Sequence, residues 1–256
     1  MAQADAACAQ ARRFTIATQE TLILAVTQML GGVCIAGMTT EPHPVTGLRW
    51  VRPVREHDHV LLGDISTVGG TVLRPFDVVE FNLLRARPSP PHVEDWITDF
   101  VHQRPRILRR LEGDRRASFL RRHMDRAPDE VLESQSRSLC LVKPAWIRGA
   151  FHLDAYSGKL DARLAFGLGQ HSYLGSKAQG GLAVTDVKWR AVGRSWLGEE
   201  GGSIEFGPDE MRARLGIHGT YVVLGLTRSY KGSSWSIVVG VHTLPDYEAS
   251  VEYDNL

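Results

Sequence analysis

The sequence predicts a mainly β protein with two small β-barrels in tandem, joined by an arginine-rich helical bridge. Short runs of β-branched and apolar residues, separated by glycine and proline, occupy both ends of the chain. Between them, apolar residues recur at helical spacing among arginines. A hydrophobic content of 43% and a charged content of 23% are typical of globular proteins, so each unit can bury a core.

The first barrel is predicted over residues 19–100. Residues 1–18 are small and polar, which is typical of a flexible leader. Four segments rich in β-branched residues follow and are predicted as strands: 21–26, 33–37, 48–54 and 76–84. Three prolines between residues 88 and 91 end the last strand, because proline cannot donate to a sheet.

The bridge is predicted over residues 101–137. Ile107, Leu108, Leu111, Leu120 and Met124 have helical spacing. Between residues 104 and 126 the segment carries nine arginines against three acidic residues. This is a strong local excess of positive charge in a chain whose formal net charge is only +1, so any basic binding site has to be local.

The second barrel is predicted over residues 138–245, followed by an acidic tail at 246–256. Its predicted strands are 138–142, 163–168, 221–227 and 236–244. Short helices are expected after Asp186 and from Pro208 to Leu215, and the glycine-rich stretch 169–181 is expected to be a long loop. About five strands with one or two short helices per unit fit an OB barrel, and also an SH3-like barrel.

The chain resembles the bacterial dual-OB-domain proteins. The segments that carry this resemblance occur in order: GVCIAG at 32–37, RWVRPV at 49–54, DVVE at 77–80, HVEDW at 92–96, SLCLVKP at 138–144, VTD at 184–186 and LGLTR at 224–228. The resemblance implies two OB barrels and suggests nucleic-acid binding, in a family often encoded beside nucleic-acid-processing and defence genes. The loop 169–181 and the arginine-rich bridge depart from the family pattern.

The segment around Trp50 is the densest candidate for a binding site. Arg49 and Arg52 flank this tryptophan, and a single strand of RNA or DNA is bound by such cations and flat rings. Because side chains alternate along a strand, Trp50 is predicted in the core, Arg49 facing outward and Arg52 at the barrel rim. A structural interpretation is equally open, with Arg52 paired to a carboxylate such as Asp77 or Glu80.

Other basic residues are candidate phosphate contacts. Arg228 ends a predicted strand and is a second rim candidate, and Lys143 follows an apolar strand, although solvated side chains are the commoner outcome at such positions. In the bridge the candidates are Arg109, Arg110, Arg115 and Arg116. If these residues lie on one helix, positions 109 and 116 share one stripe of its surface, and positions 115 and 122 nearly share another. The alternative to phosphate contact is that these arginines form a solvated helix face without a ligand.

Signatures of catalysis, cofactors and metals are weak. No Walker loop, nucleophile elbow or complete dinucleotide-binding loop occurs, so the sequence favours a non-catalytic protein without a cofactor. His57 and His59 would share a strand face, but no further ligand is suitably spaced, so no metal is expected. The three cysteines, Cys8, Cys34 and Cys140, form no close pair, and no disulfide is expected.

The expected location is the cytoplasm, without a membrane partner. No apolar stretch approaches the length of a membrane span, and the alanine-rich start lacks the pattern of a secretion signal.

Three functional hypotheses follow from the sequence. The first is a non-catalytic module that binds single-stranded or structured nucleic acid through the barrels and the bridge. The second is an enzyme or sensor that binds a nucleotide or small phosphorylated ligand between the barrels, with Arg52 and Arg228 as phosphate clamps. The third is a scaffold for a protein partner encoded nearby. A contiguous basic surface would favour the nucleic-acid-binding module. A deep pocket lined by arginines and carboxylates would favour the small-ligand enzyme or sensor, and an uncharged apolar patch would favour the scaffold.

Overall fold

A computed structural model describes residues 18–29, 31–176 and 180–253. The predicted leader lies outside these ranges except for Thr18, which already belongs to the first strand. None of the helices in the described ranges combines the length and hydrophobicity needed to cross a bilayer.

The first unit is a closed five-stranded barrel. Its strands are β1 (Thr18–Met29), β2 (Gly32–Thr39), β3 (Trp50–Val54), β4 (Asp77–Ala86) and β5 (Asp95–Thr98). They follow the order β1-β2-β3-β5-β4, and β1 also pairs with β4, so the sheet closes on itself. Strands β3 and β5 run parallel, while the other neighbours are antiparallel. This arrangement is that of an OB barrel, as the sequence predicts.

The bridge is only partly helical. Residues Arg106–Arg110 form strand β6, which pairs antiparallel with β4, and two helices follow, α1 (Gly113–Arg122) and α2 (Pro128–Glu133). The prediction of a helix through residues 106–110 is therefore wrong. Ile107 and Leu108 suit a short strand as well as a helix, and the free edge of β4 offers backbone hydrogen bonds that decide the outcome.

The second unit packs two sheets against each other. One sheet contains β7 (Leu139–Val142), β13 (Gly219–Leu226) and β14 (Ser236–Leu244). The other contains β8 (Trp146–Leu153), β9 (Leu160–Leu168), β10 (His171–Tyr173), β11 (Leu182–Ala183) and β12 (Gly202–Phe206). A parallel bridge between Val184 and Val238 links them, and Phe151, Phe166 and Val222 lie in the common core. The predicted loop 169–181 contains β10, and its residues 177–179 lie outside the described ranges.

Two helices complete the second unit, α3 (Val187–Leu197) and α4 (Pro208–Leu215). The Asp186 carboxylate accepts hydrogen bonds from the backbone N–H groups of Lys188 and Trp189, so Asp186 is the N-cap of α3, and the helix expected after it is present. Helix α4 has the predicted boundaries, with proline at its first position and left-handed Gly216 after its end.

A separate apolar cluster joins the two barrels. Leu22, Leu24 and Phe76 of the first unit pack with Leu141 and Tyr221 of the second. Trp50 also belongs to this cluster, as the prediction that it lies in the core requires. The barrels are thus held by a shared core, which gives the space between them a defined shape.

Candidate nucleic-acid interface

A cleft of about 880 Å³ lies between the two barrels. Its wall on the first barrel is formed by residues of β2 and β3 and by the loop after β4. Its wall on the second barrel is formed by the start of β7, by part of β14 and by the loop after β13. OB barrels bind oligonucleotides and oligosaccharides on their second and third strands, together with the loop between their fourth and fifth strands. The cleft therefore covers the binding face of the first barrel.

An ion pair forms part of the cleft wall. The Arg52 Nε lies 2.5 Å from Asp95 Oδ1, and its Nη2 lies 2.9 Å from Asp95 Oδ2, so the guanidinium and carboxylate bond bidentately. The Arg52 side chain is 11% exposed and the Asp95 side chain 12%. Arg52 thus lines the cleft, but its partner is Asp95 and neither Asp77 nor Glu80, and its charge is largely neutralised locally.

A buried polar cluster connects the barrels beside this ion pair. Glu94 of the first barrel accepts hydrogen bonds from the backbone N–H and the hydroxyl of Ser138, which precedes β7. His92 Nδ1 lies 2.9 Å from the same hydroxyl oxygen. Burial alone would raise the pKa of Glu94, but the bonds from His92 and Ser138 and the charge of Arg52 lower it overall. The cluster therefore holds a carboxylate in its charged form at the barrel junction.

The loop after β13 (residues 227–235) borders the cleft, which its first three residues line. Arg228 lines the cleft and is exposed, with no ion-pair partner among the residues that the structure describes. In the same loop Tyr230 is 64% exposed and Trp235 is 53% exposed. The Lys231 ammonium lies 5.4 Å from the centre of the Tyr230 ring. Two cations and two aromatic rings thus stand on one loop, a combination that suits phosphate contact and base stacking.

The arginines predicted in the bridge do not share one surface. Arg110 pairs with Asp77, and Arg109 pairs with Glu20 at 2.9 Å. Both lie on β6, so the predicted helical stripe joining Arg109 to Arg116 is wrong. Arg116 is buried, pairs with Asp246, and lies over the Phe76 ring at 4.1 Å.

A smaller basic surface forms on the first barrel and α1. Arg115 and Arg122 both lie on α1 and line a cavity of about 380 Å³. Arg49 lines the adjoining cavity, donates to the Thr40 carbonyl and lies 3.8 Å from a Glu41 carboxylate oxygen. Arg49, Arg115 and Arg122 therefore line adjoining cavities to which Glu41 and Asp114 also contribute, and Arg110 and Arg116 line neither.

Lys143 is exposed just after β7, with its ammonium 5.9 Å from the centre of the Tyr221 ring. Cys34 and Cys140 are free thiols, and Cys8 lies outside the described ranges. Within those ranges, no cluster of three or more histidine, cysteine, aspartate or glutamate residues could hold a metal ion, and His57 and His59 simply line the cleft.

Sequence analysis did not single out the exposed aromatic residues Tyr230 and Trp235, or Trp146 at the start of β8. A signal for the first two was present, because arginine, tyrosine, lysine and tryptophan alternate with glycine and serine in residues 227–235. A loop of this composition between two strong strands is typical of an exposed binding loop.

Comparison with known proteins supports the architecture. Residues 19–241 match the family model described as a dual OB-containing domain. Comparisons with curated proteins and with solved structures found no match. Because the family model spans most of the chain and the first unit has the strand order of an OB barrel, this protein belongs to the dual OB-containing domain family.

Proposed function

We propose that the protein binds single-stranded nucleic acid in the cleft between its barrels. The observation that carries the proposal is the loop after β13, which lines the cleft at Arg228 and carries Lys231 and the exposed Tyr230 and Trp235 in the residues that follow. OB-fold domains commonly bind nucleic acid through this face. Single strands are preferred over duplexes because exposed aromatic rings stack on bases that no complementary strand covers.

Each group on the rim has a distinct role in this proposal. Arg228 and Lys231 contact phosphates, while Tyr230 and Trp235 stack on bases. Arg52 shapes the wall but contributes little charge, because Asp95 neutralises it. The near-zero net charge of the chain is compatible with this function, since a few cations on one loop are sufficient for local phosphate contacts.

A second candidate function is the binding of a nucleotide or a small phosphorylated ligand. The size of the cleft favours it, since about 880 Å³ lies within the range of ordinary small-ligand sites. The cleft also contains carboxylates, namely Glu56, Asp58 and Asp95, which suit hydroxyl groups better than a continuous phosphate backbone. In this case Arg228 holds the phosphate. A role in defence or nucleic-acid processing, and a cytoplasmic location, stay predictions from the resemblance and the sequence.

Fluorescence anisotropy with labelled single- and double-stranded RNA and DNA at two salt concentrations tests the proposal. Replacing Arg228 and Lys231 together by alanine should weaken binding and lower the slope of log affinity against log salt by about 1.4, or roughly 0.7 per lost contact. The matched control is Arg212→Ala with Lys159→Ala, which removes the same charges away from the cleft and should leave both values unchanged.

Two results would overturn the proposal. One is the absence of affinity tighter than about 100 μM for any nucleic acid at low salt, the weak limit of non-specific binding. The other is tight binding of a nucleoside monophosphate that longer strands do not improve, which would establish the small-ligand function instead.

A further inference from the structure

Trp146, at the start of β8, is a partly exposed tryptophan on a surface separate from the cleft. The residue is 39% exposed and does not line the cleft. Its indole lies against Gly167, the residue opposite it on β9. A Cβ atom added at Gly167 would lie 2.1 Å from Trp146 Nε1, so only glycine leaves room for the ring in this position. The indole is thus supported by the sheet while part of it faces solvent.

A cation without an ionic partner lies beside this ring, and a second one precedes it by three residues in the chain. The guanidinium carbon of Arg148 lies 5.9 Å from the centre of the Trp146 ring. Arg148 points to the same side of the sheet, because exposed and buried residues alternate along β8. Lys143 is exposed three residues before Trp146. Among the described residues neither Arg148 nor Lys143 has a carboxylate within ion-pair distance.

An exposed indole close to unpaired cations indicates which kind of ligand this surface can bind. A protein partner that covered Trp146 with apolar groups would bury two cations without counter-charges, which is costly. A single strand of nucleic acid satisfies both requirements, because its bases stack on the indole and its phosphates neutralise the cations. We infer that Trp146, Arg148 and Lys143 form a second contact surface for single-stranded nucleic acid, which we call the β8 platform; this inference rests on the proposed function.

The platform lies within reach of a strand held in the cleft. Leu139, at the start of β7, lines the cleft, and Lys143 directly follows the end of the same strand. Four residues of extended chain span about 13 Å. The residues of β7 are themselves buried, so a single strand of nucleic acid has to leave the cleft and cross the surface around β7 to reach the platform, which a strand that ends inside the cleft cannot do.

Binding measured with oligonucleotides of two lengths tests the inference. The probes are unstructured DNA strands of about 8 and about 24 nucleotides, chosen within and beyond the site size of one OB barrel. Trp146→Ala should weaken binding of the long strand roughly 5- to 150-fold, the usual effect of losing one stacked base, and leave the short strand nearly unaffected. Arg148→Ala should weaken binding of the long strand and lower its salt slope by roughly 0.7.

Two further variants separate stacking from folding. Gly167→Ala keeps the indole but displaces it from the sheet, so it should reproduce the length-dependent loss. Tyr156→Ala removes a fully exposed aromatic residue from the turn that joins β8 to β9 and should change nothing. Thermal unfolding of each variant establishes that the barrel is intact.

The outcomes are distinct. If the Arg228/Lys231 variant loses affinity for both lengths while the platform variants bind as the wild type does, the inference is wrong and the proposed function stands. If the wild type binds neither length, both fail.

Discussion

Ion pairs in this protein differ widely in how much water reaches them. The Arg52 and Asp95 side chains are nearly inaccessible, whereas Arg85 and Glu56, on the same barrel, are each more than half exposed. Exposed pairs contribute little because water screens them, while a buried charge left without its partner is strongly unfavourable. The same type of contact therefore has different consequences at the two positions.

We predict that Arg52→Ala destabilises the protein by about 3–5 kcal/mol, because it leaves the buried Asp95 carboxylate unpaired. Arg85→Ala is the matched control and should cost about 0–1 kcal/mol. Urea unfolding followed by circular dichroism measures both. The double replacement Arg52→Met with Asp95→Leu should recover part of the loss, and equal losses for Arg52→Ala and Arg85→Ala would contradict the prediction.

Asp186 is a buried carboxylate that bonds three backbone N–H groups, those of Lys188, Trp189 and Val241. Burial raises its pKa to about 6 despite these bonds. The native state therefore holds a proton that the unfolded state releases at about pH 3.9. Between these values, the contribution of this group to stability decreases as the pH rises.

We predict that Asp186→Asn removes this pH dependence. The difference in unfolding free energy between wild type and variant should change between about pH 4 and pH 6 and stay constant above that window. Unfolding in urea at a series of pH values measures it. The control is Asp209→Asn, at an exposed carboxylate, and its unfolding free energy should depend on pH in the same way as that of the wild type. A difference that is constant across the whole range would show that Asp186 is not protonated in the native protein.

At the scale of elements, helix α1 has two faces in different surroundings. Arg116 and Leu120 are buried against the rest of the protein, while Arg115 and Arg122 line an open cavity. These arginines are close in sequence but differ in surroundings, because successive residues of a helix point in directions about 100° apart. One face packs into the fold, and the other borders the open cavity.

We predict that the double replacement Arg115→Ala with Arg122→Ala weakens nucleic-acid binding and lowers the salt slope by up to about 1.4. The free energy of unfolding should stay within about 0.5 kcal/mol of the wild type, as for most surface changes. Arg116→Ala should show the opposite pattern, with lower stability and an unchanged salt slope. An unaltered slope in the double variant would show that the outer face of α1 is only solvated.

At the scale of the whole molecule, the segment after β14 ties distant elements together. Asp246 pairs with Arg116 of α1, and its Oδ1 lies 2.8 Å from Lys188 Nζ of α3. Tyr247 is buried in the core of the second unit, with its hydroxyl donating to the Val241 carbonyl. The described part of the predicted acidic tail is thus packed against the protein and links the bridge to the second barrel.

We predict that Asp246→Ala lowers stability by about 1–3 kcal/mol, less than the 3–5 kcal/mol of a fully buried pair because the Asp246 side chain is partly exposed. It should also broaden the calorimetric transition, since the bridge and the second barrel become less strongly coupled. Glu248→Ala, at an exposed carboxylate two residues away, is the control. An unchanged, sharp transition would show that the shared apolar cluster alone holds the units together.

The local amino-acid sequence determined those helices and strands whose start and end signals lie within a few residues of the element itself. Helix α4 begins at its proline and ends before its glycine, because both residues act through their own backbone conformations. Strand β14, half of β1 and most of β13 follow from runs of β-branched residues. The order of short motifs along the chain was sufficient to indicate two OB barrels, and the family match confirms it.

Tertiary structure alone decided which residues meet. Arg109 and Arg110 lie in strand β6 because β6 pairs with a free edge of β4. Arg116 can be buried because Asp246, 130 residues later in the chain, pairs with it. The cleft brings residues near 52, 92 and 228 together, and the bidentate pairing of Arg52 with Asp95 follows from the parallel contact of β3 with β5. A sequence pattern shows the spacing along the chain, whereas charge pairing depends on distances that only the closed barrels and their shared core establish.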